Sequence, residues 1–140
     1  MKFNWVLVPA AAALISLPLA ANAQPATPDC AEISARAASH LTYLQNKLQI
    51  TSGEQSAWNA FAAAVTSGAQ SVAAACTALP SPAPTDAPSR LANRITIASA
   101  HLQAEQSTLP ALKALYAALS AQQQAIFDAA ADRHHGRDPH

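Results

Sequence analysis

Histidine is the side chain in this sequence best suited to bind a metal, and three histidines lie at the C-terminal end, His134, His135 and His140. Adjacent histidines point to different faces of a helix, whereas a helical metal-binding pair needs a spacing of about four residues. Asp128, Asp132 and His135 can share one side of a helix. We therefore expect a solvated tail and no cofactor, with a weak zinc or copper site as the alternative.

The two cysteines, Cys30 and Cys76, can form a disulfide, since an isolated pair is usually bonded in an oxidising compartment. Counted along two antiparallel helices from a turn near Ile50, the pair is mismatched by about 9 Å. A disulfide needs Cα atoms within about 7 Å. A bend or frayed helix ends can close that gap, and the bond would then stabilise the fold by about 2–4 kcal/mol. The alternative is two small buried thiols.

No sequence pattern indicates an enzyme. There is no glycine-rich loop, no Gly-x-Ser-x-Gly elbow and no Cys-x-x-Cys pair, and the acidic residues are scattered without a spacing suited to acid–base catalysis. The chain has as many basic as acidic residues, eight of each, so its formal net charge is zero. This balance argues against nucleic-acid binding. We predict a protein that is not an enzyme and has no nucleic-acid partner.

The N-terminal segment has the three parts of a secretory signal peptide. Lys2 supplies a positive charge, residues 6–20 are apolar, and residues 21–23 form a small-x-small cleavage site. Prolines interrupt the apolar run, which makes it a poor membrane span. We predict cleavage after Ala23, no membrane span in the mature chain, and a location in the periplasm or outside the cell. A retained N-terminal anchor is the alternative.

The mature chain has the length and the alanine-rich composition of one small helical domain. We place this domain at residues 29–134, after a flexible lead-in at residues 24–28 and before a disordered tail at residues 135–140. Apolar residues at helical spacing predict one helix from Asp29 and another after Thr51. Because few residues separate them, these helices must form an antiparallel hairpin.

A proline-rich linker at residues 78–88 separates this hairpin from a second one. The third helix has the most regular apolar stripe, and its phase continues through Pro110. This continuity favours one long helix kinked near Pro110 over two helices, the second capped by Ser107 or Thr108. A fourth helix follows Ser120. The predicted fold class is therefore all-α, with two antiparallel helical hairpins joined by the linker.

The stripe of the third helix has steps of four and three residues and one charged member. Its members are Leu91, Ile95, Ala98, Leu102, Glu105, Leu109, Leu112, Tyr116 and Leu119. It either packs in the core of one chain or is left partly exposed by four thin, alanine-rich helices. An exposed part would serve as a homodimer seam or as a binding surface.

Two short segments repeat one pattern at the predicted helix starts. Thr51 stands three residues before Glu54, and Ser120 stands three residues before Gln123. This is the spacing of a capping box, in which the hydroxyl accepts the N–H of the third residue and that residue's side chain accepts the N–H of the cap. Each box should stabilise its helix by about 1 kcal/mol.

Apolar residues flank both boxes in the same way. Ile50 and Leu119 precede the caps, where a hydrophobic staple is expected. Trp58 and Phe127 follow each cap by seven residues, and we expect them to anchor the new helices on the core.

A small, secreted, all-helical protein with Leu-Thr-x-x-Gln written twice resembles the LTxxQ-motif family, which includes the periplasmic proteins Spy and CpxP. The second copy is Leu119, Ser120 and Gln123, with Ser in place of Thr. The first copy is looser, with Ile50 in place of Leu and Glu54 in place of Gln. A third match to the letters, at residues 41–45, lies in mid-helix, where Thr42 has no N–H to cap.

The resemblance implies a periplasmic protein made of long, curved helical hairpins. Spy is an ATP-independent chaperone that forms a dimer and binds unfolded or partly folded proteins on a concave face, and we expect this activity and these partners here. The resemblance also implies two alternatives: a regulator that docks on an envelope-stress sensor, as CpxP does, and a periplasmic metal-binding or metal-sensing protein. The neutral charge, the linker and the cysteines depart from the Spy pattern and suggest a more closed, stapled variant.

Overall fold

The computed structural model describes residues 29–135, with side chains described through residue 131. This part of the chain consists of four α-helices and contains no strand, which confirms the all-α fold class. The helices are α1 (Cys30–Leu48), α2 (Gln55–Thr77), α3 (Ala87–Ala118) and α4 (Ala121–His135). The predicted signal peptide and lead-in, together with residues 136–140 of the predicted tail, lie outside the described residues. Within residues 29–135, no helix is long and apolar enough to cross a membrane.

Side-chain and backbone caps set both ends of α1. Asp29 precedes the helix and accepts the backbone N–H of Ala31 at 3.1 Å. At the other end Gln49 takes a left-handed conformation with φ 51°, and its N–H donates to the Gln45 carbonyl. One apolar face of α1 is buried only in its second half, at Leu41, Leu44 and Leu48.

A tight turn at residues 51–54 separates α1 from α2. The backbone N–H of Glu54 donates to the carbonyl oxygen of Thr51 at 3.1 Å. The sequence pattern predicted that this N–H would bond the Thr51 hydroxyl and that the helix would follow at once. Because the backbone bond closes a turn first, α2 begins only at Gln55.

This later start of α2 brings the two cysteines together. Cys30 lies 18 residues before Leu48, and Cys76 lies 21 residues after Gln55. The axial mismatch is therefore about 4.5 Å, half of the predicted value. The structure contains the Cys30–Cys76 disulfide with a Cα–Cα distance of 5.7 Å, within the usual range. By loop-closure entropy, a bond across a separation of 46 residues stabilises the fold by about 4 kcal/mol.

The linker between α2 and α3 is slightly shorter than predicted, because Ala87 and Pro88 belong to α3. A proline is tolerated in the first turn of a helix, where the N–H that it lacks has no intrahelical partner. Asp86 caps this turn by accepting the N–H of Ser89 at 2.8 Å. This bond holds the pKa of the Asp86 carboxyl below its ordinary value. Further along, α3 runs through Pro110 as a single helix.

The central helix is α2, which packs against both α1 and α3. Its closest approach to α3 is at Gly68, where an added Cβ atom would lie 2.9 Å from the Cβ of Ala104. Only glycine therefore fits at this crossing. The side of α3 that packs on α2 includes the small, half-buried residues Ala100, Ala104 and Thr108, and the N-terminal part of the predicted leucine stripe points away from it.

Most of that stripe is exposed. Leu91, Ile95, Leu102 and Leu109 each leave about half of their side-chain surface in water, whereas Leu115, outside the stripe, is fully buried. The possibility that the stripe packs in the core of one chain therefore holds only at its C-terminal end, where Leu119 is buried. We refer to Leu91, Ile95, Ala98 and Leu102 as the outer stripe.

The core lies at the end of the molecule where α1 meets α2 and α3 meets α4. It consists of buried residues from all four helices: Leu41, Leu44, Leu48, Trp58, Phe61, Leu115, Leu119 and Ala130. The main partner of α4 is α1. Trp58 is buried, and Phe127 and Ile50 pack against the core from its edge. The opposite end of the hairpin is closed by the disulfide.

Two substitutions test which leucines of α3 are buried: Leu115→Ala and Leu102→Ala. Leu115 is 0% exposed and Leu102 is 56% exposed. We expect Leu115→Ala to lower the free energy of unfolding by about 3–5 kcal/mol because it leaves a cavity, and Leu102→Ala to change it by less than about 0.5 kcal/mol. Urea denaturation followed by circular dichroism measures both. Equal losses would mean that the stripe is buried.

Candidate functional site

The first of the two repeated segments forms half of its predicted capping box. The backbone N–H of Thr51 donates to Oε2 of Glu54 at 2.9 Å. The other half is replaced by the backbone turn described above. This arrangement leaves the Glu54 carboxylate turned back toward the end of α1.

The second segment forms the complete box at the start of α4. The N–H of Ser120 donates to Oε1 of Gln123 at 2.8 Å, and the N–H of Gln123 donates to Oγ of Ser120 at 3.3 Å. The Ser120 hydroxyl also lies 2.8 Å from Oε1 of Gln123. Since the oxygen of the Gln123 amide is used within the box, its nitrogen is left to bond elsewhere.

The Gln123 amide nitrogen joins the two segments. It donates to Oε2 of Glu54 at 3.0 Å and to the carbonyl oxygen of Leu48 at 3.0 Å. The Leu48 carbonyl belongs to the last turn of α1, where carbonyl groups have no intrahelical donor. One side chain therefore caps α4, satisfies the end of α1 and bonds Glu54, the residue just before α2. We call Leu48, Thr51, Glu54, Ser120 and Gln123 the paired-motif junction.

Hydrogen bonds lower the pKa of the Glu54 carboxyl. The largest cause is the backbone N–H of Thr51, followed by the side-chain amide of Gln123. Both groups donate to the ionised carboxylate and so favour the charged form. The junction is therefore built around a carboxylate that stays ionised at neutral pH.

The next residue, Gln124, satisfies carbonyl groups at the end of α3, as Gln123 does at the end of α1. Its Nε2 donates to the carbonyl of Tyr116 at 2.8 Å and, more weakly, to that of Leu119 at 3.4 Å. This contact was not predicted from the sequence, because a run of three glutamines after the cap does not show which of them bonds α3.

Aromatic side chains pack next to the junction. The Phe127 ring meets the rings of Phe61 and Tyr116 edge-on, with centroid distances of 6.0 and 6.4 Å. The Tyr116 hydroxyl donates to Asp128 at 2.9 Å, and this bond raises the pKa of Tyr116. Trp58 completes the cluster at 5.8 Å from Phe61. The contacts of Phe127 therefore hold α4 against α2 and α3.

An open apolar groove of about 440 Å³ lies over the middle of α2, between α1 and α3. Ile33 and Ala37 of α1 form one wall, and Leu109 and Leu112 of α3 form the other. The remaining lining residues are Val65, Gly68, Ala69, Val72, His101, Ala104, Glu105 and Thr108. The volume is within the range typical of ligand sites. This groove was not predicted from the sequence, although Gly68, an isolated glycine in a helical pattern, could have indicated it.

The groove has few polar groups. Thr108 donates its hydroxyl to the Ala104 carbonyl at 2.8 Å, so this group is satisfied within α3. His101 and Glu105 stand one turn apart on the exposed side of the same helix. Such a surface can bind apolar side chains.

The metal hypothesis concerns residues that the structure describes only in part. The backbones of His134 and His135 belong to α4, but their side chains, and all of His140, lie outside the described residues. Among the residues whose side chains are described, no group of three His, Cys, Asp or Glu is placed to hold a metal ion. In the mid-helix match to the motif letters, the Thr42 hydroxyl bonds the Ala38 carbonyl one turn back and caps nothing.

The family model for LTXXQ motif family proteins matches residues 36–131, about two thirds of the chain. The chain belongs to the LTXXQ motif family. The match includes both copies of the LTXXQ motif and every residue of the paired-motif junction. No curated protein and no solved structure matches the chain significantly.

Gln123→Ala tests whether the LTXXQ motif acts through the junction. The change removes the box at α4 and leaves the Leu48 carbonyl without this donor, and we expect a loss of about 2 kcal/mol in the free energy of unfolding. Gln123→Glu keeps a capping oxygen but sets a second carboxylate against Glu54, so it should also destabilise. Gln122→Ala, an exposed change one residue away, should have no effect beyond about 0.5 kcal/mol. Urea midpoints at neutral pH measure all three. A stable Gln123→Glu variant would contradict the bridging role.

The lowered pKa of Glu54 predicts a pH dependence of stability. A carboxyl whose folded pKa lies below its unfolded pKa stabilises the fold above the unfolded pKa, and this contribution is lost as pH falls through the folded pKa. We expect the wild type to lose stability as pH falls below about 5. Glu54→Gln retains an oxygen that accepts both N–H groups, and should lose less over that range.

The measurement is the urea midpoint of both proteins between about pH 3 and 7. Asp86→Asn gives a comparison at the other carboxyl with a lowered pKa. Parallel curves for wild type and Glu54→Gln would show that the Glu54 charge does not contribute.

Proposed function

We propose that the protein is an ATP-independent periplasmic chaperone of the Spy type, which holds non-native proteins weakly and reversibly in the groove over α2. The observation that carries the proposal is this open apolar groove in a member of the LTXXQ motif family. Unfolded or partly folded periplasmic proteins are the proposed partners, because they expose the apolar side chains that such a groove can cover.

The composition of the groove favours weak holding. Its floor consists of small and β-branched residues, Val65, Gly68, Ala69 and Val72, which offer little area to any single client side chain. Affinity gained from buried apolar area grows with that area. A client is therefore held by several shallow contacts and can be released without a nucleotide or a catalytic residue.

The location in the periplasm is part of the proposal. The predicted signal peptide at residues 1–23 supports it, as does the disulfide, because such bonds persist in oxidising compartments. A homodimer through the outer stripe stays a prediction. The stripe is exposed along one side of α3, which is where a second copy would find apolar surface.

Suppression of aggregation tests the proposal directly. The mature chain, residues 24–140 in oxidised form, is mixed with an unrelated client that unfolds, and light scattering is followed without ATP, with and without a metal chelator. We expect suppression near equimolar ratio that the chelator does not change. Loss of suppression with chelator would point to a metal-dependent protein. No suppression would point to a regulator with one specific partner, as CpxP is.

Matched substitutions locate the site. Ala37→Gln and Leu109→Gln place polar groups in the groove walls, while Ala63→Gln and Leu91→Gln place them on exposed positions outside the lining. We expect each groove variant to need roughly fivefold more protein for half-suppression, which corresponds to the loss of one apolar contact of about 1 kcal/mol. The other two should match the wild type. Equal effects at all four positions would assign holding to general surface hydrophobicity.

A further inference from the structure

The part of α1 that forms the groove wall is only weakly buried. From Cys30 to residue 40, no side chain of α1 is fully buried, and Leu41 is the first residue that reaches the core. Ile33 and Ala37, which form the wall, lie within this weakly packed part. The Cys30–Cys76 bond ties its first residue to the end of α2.

The core lies away from this bond. The buried cluster and the paired-motif junction lie at the other end of the hairpin, around Leu44, Leu48 and Gln123. Opening the disulfide therefore lowers the overall stability but acts most strongly on the first three turns of α1, which have no fully buried side chain. Segments with few buried contacts are the ones that open locally.

We infer that the Cys30–Cys76 disulfide is a redox switch for the groove: a dithiol reductant opens the bond, the α1 wall separates from α2, and the groove loses its capacity to hold clients. The inference rests on the proposed function. In the step itself the S–S bond breaks, each cysteine gains one electron and one proton to become a thiol, and the dithiol becomes a disulfide. Cys30 is half-buried whereas Cys76 is buried, so the bond is more accessible from the Cys30 side.

Loss of the α1 wall should weaken client holding because the wall is one side of the groove. With the wall in place, a client side chain contacts three helices, which are α1, α2 and α3. Without the wall, Val65, Val72 and Leu109 face water on a surface formed by two helices. A flatter surface covers less of each client side chain, so holding weakens although apolar groups remain exposed.

Hydrogen exchange tests the opening independently of any client. The full mature chain is compared with and without a small dithiol. We expect the amides of residues 34–40 to exchange roughly ten- to hundredfold faster after reduction, while those of residues 44–48, in the core, remain the more strongly protected. The double variant Cys30→Ser with Cys76→Ser should exchange like the reduced wild type, with or without dithiol. Unchanged exchange at residues 34–40 would overturn the inference.

Aggregation suppression with a client that lacks cysteine tests the consequence. We expect the reduced wild type and the double serine variant to need roughly fivefold more protein for half-suppression than the oxidised wild type. The oxidised Ile33→Ser variant, which weakens the wall without opening the bond, should lose part of the activity. Equal or stronger suppression after reduction would overturn the switch. If even the oxidised wild type suppresses nothing, the proposed function fails, and hydrogen exchange still decides whether the disulfide holds the wall.

Discussion

The side-chain amide of Gln123 joins three helix ends, and the architecture depends on that contact. Its oxygen caps α4, and its nitrogen bonds both the Leu48 carbonyl and the Glu54 carboxylate. A helix end carries unpaired backbone groups that must find partners when the end is packed against other elements. The two motif copies therefore act as one unit, which places the core at this end of the molecule.

A different constraint applies at the middle of α2. There α2 and α3 approach so closely at Gly68 and Ala104 that large side chains are excluded from their interface. The large residues of the outer stripe are turned outward, and the small residues leave a groove open above α2. The same exclusion thus produces both the outer stripe and the candidate binding site, with the disulfide holding the remaining wall.

Local chemistry made much of this fold predictable, and long-range packing limited the rest. The helices, the turns at Thr51 and Ser120 and the anchors Trp58 and Phe127 could be inferred because caps and periodicity act over a few residues. The exposure of the leucine stripe could not, because periodicity shows which residues share a face and not which face is packed. The bond between Gln123 and Glu54 crosses 69 residues, so neither motif copy by itself indicates the other as its partner.

That separation bears on the order in which the chain assembles. Closing a long loop costs more conformational entropy than forming neighbouring helices, so the α1–α2 hairpin forms with its own turn before α4 arrives. Until then the Leu48 carbonyl and the Glu54 carboxylate are solvated and the aromatic cluster is incomplete. We therefore expect α4 to dock late in folding, and until it does the N-terminal half lacks the contacts that Gln123 and Phe127 supply.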